Sequence, residues 1–115
     1  MPAASGLCGP RVGSASFSSY VNATSMANDI YTRWINGDVA VGIYDPNGTT
    51  NVFGGHGYTV YGFTRDSSGN INGIVLRNPW GYDGAGNDGN TSDGLVTVTP
   101  AQLFAMRGIV EYGRV

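Results

Sequence analysis

The chain has 115 residues and a formal net charge of −2 at pH 7; 12% of its residues are charged, 19 are glycine and none is lysine. This length predicts one domain with a single hydrophobic core. The acidic balance provides no basic patch for phosphates and no apolar run is long enough to cross a bilayer, so we expect neither a nucleic acid partner nor a membrane-embedded protein.

The first 22 residues are rich in Gly, Ala and Ser, and only residues 16–21 have a pattern typical of an edge strand. The segment contains Cys8, the single cysteine, which excludes an intrachain disulfide and a zinc site of several thiolates. A reactive thiol is commonly placed at a helix start, where its pKa falls. Because Gly9 and Pro10 follow, we interpret Cys8 as a leader or packing residue. We therefore separate residues 1–22 from a domain at 23–115.

A helix is predicted over residues 23–36, with Thr24 or Ser25 as its N-cap and Gly37 at its end. The apolar residues of this segment recur at helical spacing: Ala27, Ile30, Tyr31, Trp34 and Ile35. We interpret Tyr31 and Trp34 as core residues rather than as a ligand-stacking pair.

Strands are predicted next, at residues 39–44 and 49–53, separated by the turn 45–48. The second strand leads through a flexible Gly54-Gly55 to His56, the only histidine.

A β-hairpin follows, with alternating strands at residues 57–65 and 71–78 and turn-forming residues at 66–70. Opposed residues in an antiparallel hairpin have a constant index sum, and a turn centred near Ser67 and Ser68 gives a sum of about 134 to 135. His56 and Asn78 fit that sum. The turn therefore predicts an imidazole and a carboxamide directly opposite each other, where their side chains touch.

An amide oxygen that accepts a hydrogen bond from one ring nitrogen fixes the tautomer of a histidine, and the other nitrogen can then act on a proton. This arrangement matches the second and third members of a Cys-His-Asn triad. The residues alone are equally compatible with an ordinary strand-end histidine and a turn asparagine before proline.

The segment from Gly81 to Gly94 is a long loop in which acidic residues alternate with glycines. Its oxygen-bearing side chains suit a Ca²⁺ site, and the candidate ligands are Asp83, Asn87, Asp88 and Asp93. Their spacing is not that of an EF-hand, and the alternative is a solvated, turn-rich loop.

The C-terminal part is predicted to contain a strand at 95–99, a short helix and a last strand at 109–112. Thr99 caps the helix, Pro100 takes its first position and Gly108 ends it. The complete pattern predicts an α+β fold: a small antiparallel β-barrel or sheet with one N-terminal helix and one short C-terminal helix.

Two segments resemble the His and Asn segments of calpain-type cysteine proteases, which belong to the papain-like class. They read GHGYTVYG at 55–62 and LRNPWG at 76–81, where the family has a GHAYxVxG-like strand followed by RNPWG. The resemblance implies that His56 is the catalytic histidine, that Asn78 orients it, and that Trp80 shields their hydrogen bond from water. Gly57 stands where the family usually has alanine.

The resemblance covers residues 23–115 and implies that they form the second subdomain of a papain/calpain core. In the family, the loop after the tryptophan contributes to a calcium site, so the resemblance favours a Ca²⁺ site in this chain also. The family's cysteine segment, however, has no counterpart here. The chain is thus expected to be the His/Asn half of a calpain-like endopeptidase, whose partners are a Cys-bearing subdomain and a polypeptide substrate, and to be inactive alone.

Two alternatives remain: a compact thiol hydrolase that uses Cys8, and a noncatalytic, calcium-stabilised module of a secreted protein. The scarcity of charge and the abundance of Gly, Asn, Asp, Ser and Thr favour a secreted bacterial protein in each case.

Overall fold

One antiparallel sheet of six strands organises the chain. The computed structural model describes residues 11–48, 52–78 and 94–113. The elements are β1 (Arg11–Ser16), a 3-10 helix (Phe17–Ser19), α1 (Ala23–Trp34), β2 (Val39–Asp45), β3 (His56–Arg65), β4 (Ile71–Arg77), β5 (Leu95–Val98), α2 (Pro100–Ala105) and β6 (Arg107–Gly113).

The strands follow the order β1-β6-β2-β3-β4-β5, with β1 and β5 at the two edges. The predicted α+β class with an antiparallel sheet and two helices is confirmed. Of the two predicted forms, barrel or sheet, the described residues form an open sheet. No helix among the described residues is long and apolar enough to cross a membrane.

The core lies between one face of the sheet and the two helices. Alternation along the strands sends every second side chain to this face, and α1 contributes Met26, Ala27 and Ile30 at helical spacing. The strand residues buried here include Val41, Tyr58, Val60, Ile74, Leu76, Val96 and Val110. Each large apolar side chain that is fully buried contributes about 1.5–3 kcal/mol.

The start of α1 differs from the prediction. The N-cap is Asn22, whose extended backbone lets its side chain accept a hydrogen bond from the Ser25 N–H at 2.8 Å. Thr24 and Ser25 lie inside the helix, so the predicted caps were wrong by two or three residues.

Tyr31 and Trp34, which were expected to be core residues, are half-buried, and Ile35, which was expected on the same face, is exposed. The Trp34 indole donates to the Val60 carbonyl at 3.2 Å, and both Tyr31 and Trp34 contact Phe63 edge to face at 5.3 Å. These contacts fasten α1 to β3.

A polar cluster fastens α1 to the other end of the sheet. Asp29 accepts hydrogen bonds from the Tyr20 hydroxyl at 2.7 Å and from Arg33 at 3.1 Å. The Arg33 guanidinium also lies 3.6 Å from the centre of the Tyr112 ring on β6. Burial, and then the hydrogen bond to Asp29, raises the pKa of Tyr20 well above its usual range. The cluster is structural because these groups satisfy one another.

Three other sequence predictions need correction. The edge strand is Arg11–Ser16 rather than 16–21, because buried Phe17 turns the chain into a 3-10 helix and onto the core. Residues 49–51 lie outside the described residues, and Val52 and Phe53 are not in a strand. Gly108 does not end α2 but belongs to β6, where a Cβ would overlap the Gly42 carbonyl oxygen.

The register of the β3–β4 hairpin also differs from the prediction. Thr59 lies opposite Arg77, and Val60 lies opposite Leu76. The turn is a five-residue loop closed by Asp66 N–H donating to the Asn70 carbonyl at 2.9 Å, so its centre is Ser68. Extending this register places Asn78 across from Tyr58, and not across from His56 as predicted.

Candidate functional site

The His56 and Asn78 side chains nevertheless meet at the end of the sheet. His56 Nε2 lies 2.9 Å from Asn78 Oδ1. His56 opens β3 and Asn78 directly follows β4. Because side chains two residues apart share a face, both point to the helix-covered side and touch as diagonal neighbours. The predicted contact is present, although the register that produces it is different.

This contact determines where the imidazole holds its proton. A carboxamide oxygen only accepts hydrogen bonds, so His56 Nε2 must donate. In the neutral ring the basic lone pair is then on Nδ1. The arrangement can therefore take up a proton at Nδ1 and release it again while Nε2 stays hydrogen bonded to Asn78.

Asn78 is buried and is hydrogen bonded through both its backbone and its side chain. It is 0% exposed, and its backbone N–H donates to the Gly94 carbonyl at 2.8 Å. Gly94 has a φ of +75°, a conformation that favours glycine. The backbone bond to Gly94 and the contact of Oδ1 with His56 Nε2 hold the backbone and the side-chain oxygen of Asn78. Asn78 and Gly94, which flank residues 79–93, are thus hydrogen bonded to each other beside the imidazole.

A tight turn at Gly54-Gly55 leads into β3, where His56 pairs with Ile43 of β2. A Cβ on Gly54 would lie 3.0 Å from Pro46 Cδ and 3.3 Å from the Tyr44 carbonyl oxygen, and Gly55 has a φ of +63°. A side chain at position 54 would therefore push its neighbours by a few tenths of an ångström, and the backbone conformation at position 55 favours glycine. The two glycines form a turn.

Two aromatic residues that the sequence analysis did not assign to the site contact the imidazole. The Tyr58 ring centre lies 4.9 Å from that of His56 at 85°, and the Phe53 ring centre lies 6.0 Å away at 84°. The signal for Tyr58 was present, because strand alternation places residue 58 on the face of residue 56. Phe53 lies outside any strand, so no periodicity pointed to it.

The other predicted site residues fall outside the described residues. They are Trp80, Asp83, Asn87, Asp88 and Asp93, together with Cys8. Within residues 11–48, 52–78 and 94–113, no three His, Cys, Asp or Glu side chains are grouped so that they could hold a metal ion. The calcium site remains a prediction from the sequence.

Comparison with known proteins gave no match, either to a protein-family model or to a curated protein. The likeness to calpain-type proteases therefore rests on the residues of the two segments and stays a proposal.

The hydrogen bond between His56 and Asn78 has a measurable consequence. In Asn78→Ala, the Nε2–H of His56 loses its acceptor, so its NMR proton signal should broaden through exchange with water. A double-mutant cycle with His56→Ala should give a coupling of about 0.5–1.5 kcal/mol in the free energy of unfolding.

Asn72→Ala is the matched control, because Asn72 is an exposed asparagine of β4 that bonds Thr64 instead. This variant should leave the imidazole signal unchanged. A sharp, unshifted Nε2–H signal in Asn78→Ala would contradict the hydrogen bond.

Proposed function

We propose that this chain supplies the His/Asn half of a calpain-like cysteine endopeptidase. The observation that carries the proposal is the 2.9 Å contact between His56 Nε2 and Asn78 Oδ1. The order and spacing of GHGYTVYG and LRNPWG support it, because the same two residues are those that the calpain resemblance assigns to catalysis.

In the proposed reaction His56 works with a thiol. With Nε2 held by Asn78, Nδ1 takes the thiol proton and the pair becomes a thiolate and an imidazolium. The thiolate attacks the peptide carbonyl, and Nδ1–H then protonates the departing amine as the C–N bond breaks. A water molecule, deprotonated by the now neutral imidazole, hydrolyses the resulting thioester and regenerates the thiol.

The thiol itself and the donors that stabilise the oxyanion are assigned to a separate Cys-bearing subdomain. Cys8 is the single cysteine of the sequence, and its Gly-Pro context disfavours the helix start that activates such a thiol. The proposed partners are accordingly that subdomain and a polypeptide substrate. The composition supports a secreted bacterial location.

The test is reconstitution. The chain is mixed with, or fused to, a cysteine-bearing half of a calpain-type protease, and cleavage of an unfolded protein substrate is measured. We expect no cleavage by the chain alone and cleavage after reconstitution. His56→Ala should lower the reconstituted rate by about 10²–10⁴-fold, as expected for loss of a general acid–base group.

Arg65→Ala, which alters an exposed residue at the turn end of the hairpin, serves as the control and should retain the rate. Cleavage by the unmixed chain, or reconstituted cleavage that is indifferent to His56, would contradict the proposal.

Asp83, Asn87, Asp88 and Asp93 are proposed as ligands of a Ca²⁺ ion. A Ca²⁺ ion that binds the folded state but not the unfolded state raises the melting temperature by mass action. Millimolar Ca²⁺ should therefore raise Tm relative to a chelator, and Asp83→Asn with Asp88→Asn should abolish the shift. Asp66→Asn, in the hairpin turn, should preserve it. An unchanged Tm in the wild-type chain would contradict calcium binding.

A further inference from the structure

The hydrogen bond to Asn78 does not by itself define the plane of the His56 imidazole, because it holds one atom, Nε2. A rotation of the ring about the Nε2···Oδ1 direction would move Nδ1, which is the atom that exchanges the proton in the proposed function. Positioning within a fraction of an ångström matters for proton transfer, so further contacts must define the plane of the ring.

Tyr58 is placed to provide one of these contacts. It lies two residues after His56 on β3, is 0% exposed and pairs with Val41 of β2. Its ring stands nearly perpendicular to the imidazole, with 4.9 Å between the ring centres. This edge-to-face geometry is the favoured arrangement of neighbouring aromatic rings, and a swing of the imidazole would lose it.

The hydroxyl of Tyr58 has a second effect. It accepts a hydrogen bond from the Phe53 N–H at 2.9 Å. This bond ties the segment before the Gly54-Gly55 turn to the core, and the Phe53 ring then lies 6.0 Å from the imidazole, again nearly perpendicular to it. One buried side chain therefore contacts His56 with its ring and places a second aromatic ring against it through its hydroxyl.

We propose that Tyr58 is a positioning residue for His56, which fixes the plane of the imidazole through its own ring and through the Phe53 ring that its hydroxyl holds. The effect of this positioning on catalysis rests on the proposed function. The positioning itself is a property of the described residues and is measurable without activity.

The test uses Tyr58→Phe, which keeps the ring and removes the hydroxyl. Because the chain has one histidine, its imidazole NMR signals are unambiguous. We expect hydrogen exchange at the Phe53 amide to rise about tenfold, as for loss of one local hydrogen bond. Exchange of the His56 Nε2–H should rise as well, while exchange at the Asn78 amide, which bonds Gly94, should stay unchanged.

Two further variants separate the contributions. Phe53→Leu removes the second ring only, so the His56 Nε2–H should exchange faster while the amide at position 53 stays protected by the Tyr58 hydroxyl. Tyr61→Phe removes a hydroxyl from the same strand at a site that is 58% exposed, and should change none of these signals.

The outcomes are distinct from those of the proposed function. Unchanged Phe53 and His56 signals in Tyr58→Phe would overturn the inference, as would faster exchange throughout the sheet, which is the result expected of a merely structural residue. In the reconstituted protease, Tyr58→Phe should lower kcat with KM unchanged. A reconstituted chain with no activity would contradict the proposed function and leave the NMR result standing.

Discussion

The register of the β3–β4 hairpin is the constraint on which the site depends. A five-residue turn centred on Ser68, together with two register shifts in the hairpin that cancel, places Asn78 across from Tyr58 and diagonal to His56. A shift of one residue would send the Asn78 side chain to the opposite face and separate the pair, because strand side chains alternate. The pairing of β2 with His56, the turn at Gly54-Gly55 and the bond from Asn78 to Gly94 all hold the two residues in this register.

The chemistry follows from the same constraint. A hydrogen bond from Nε2 to a buried carboxamide leaves Nδ1 as the basic atom of the neutral ring, and two perpendicular aromatic rings limit how the imidazole turns. These features support the assignment of His56 as a proton carrier for a thiol. They supply no nucleophile themselves, which is why the proposed enzyme requires a second, Cys-bearing subdomain.

Local patterns predicted α1, the two hairpin strands and the C-terminal elements, but they missed β1. They also predicted the contact of His56 with Asn78, although from a register that the hairpin does not have. The period-two alternation of apolar residues predicted the hairpin strands, and their helical spacing predicted α1. What failed depended on interactions between segments. Gly108 looked like a helix stop, whereas its close approach to Gly42 requires glycine. The N-cap of α1 is a local exception, because Asn22, Thr24 and Ser25 are all good capping residues and only Asn22 accepts the capping bond, from the Ser25 N–H. Phe53 joins the site through its ring contact with His56 and through its N–H bond to the Tyr58 hydroxyl, which no periodicity reveals.

The central claim is that this His/Asn pair serves a thiol that Cys8 does not provide. The most direct measurement is covalent labelling of the purified chain with an epoxide inhibitor of cysteine proteases near neutral pH, followed by intact mass, with His56→Ala beside it. The account predicts slow or absent labelling of Cys8, equal in the two chains. Fast labelling of Cys8 that disappears in His56→Ala would contradict it, because it would show that His56 activates Cys8, and would favour a compact thiol hydrolase instead.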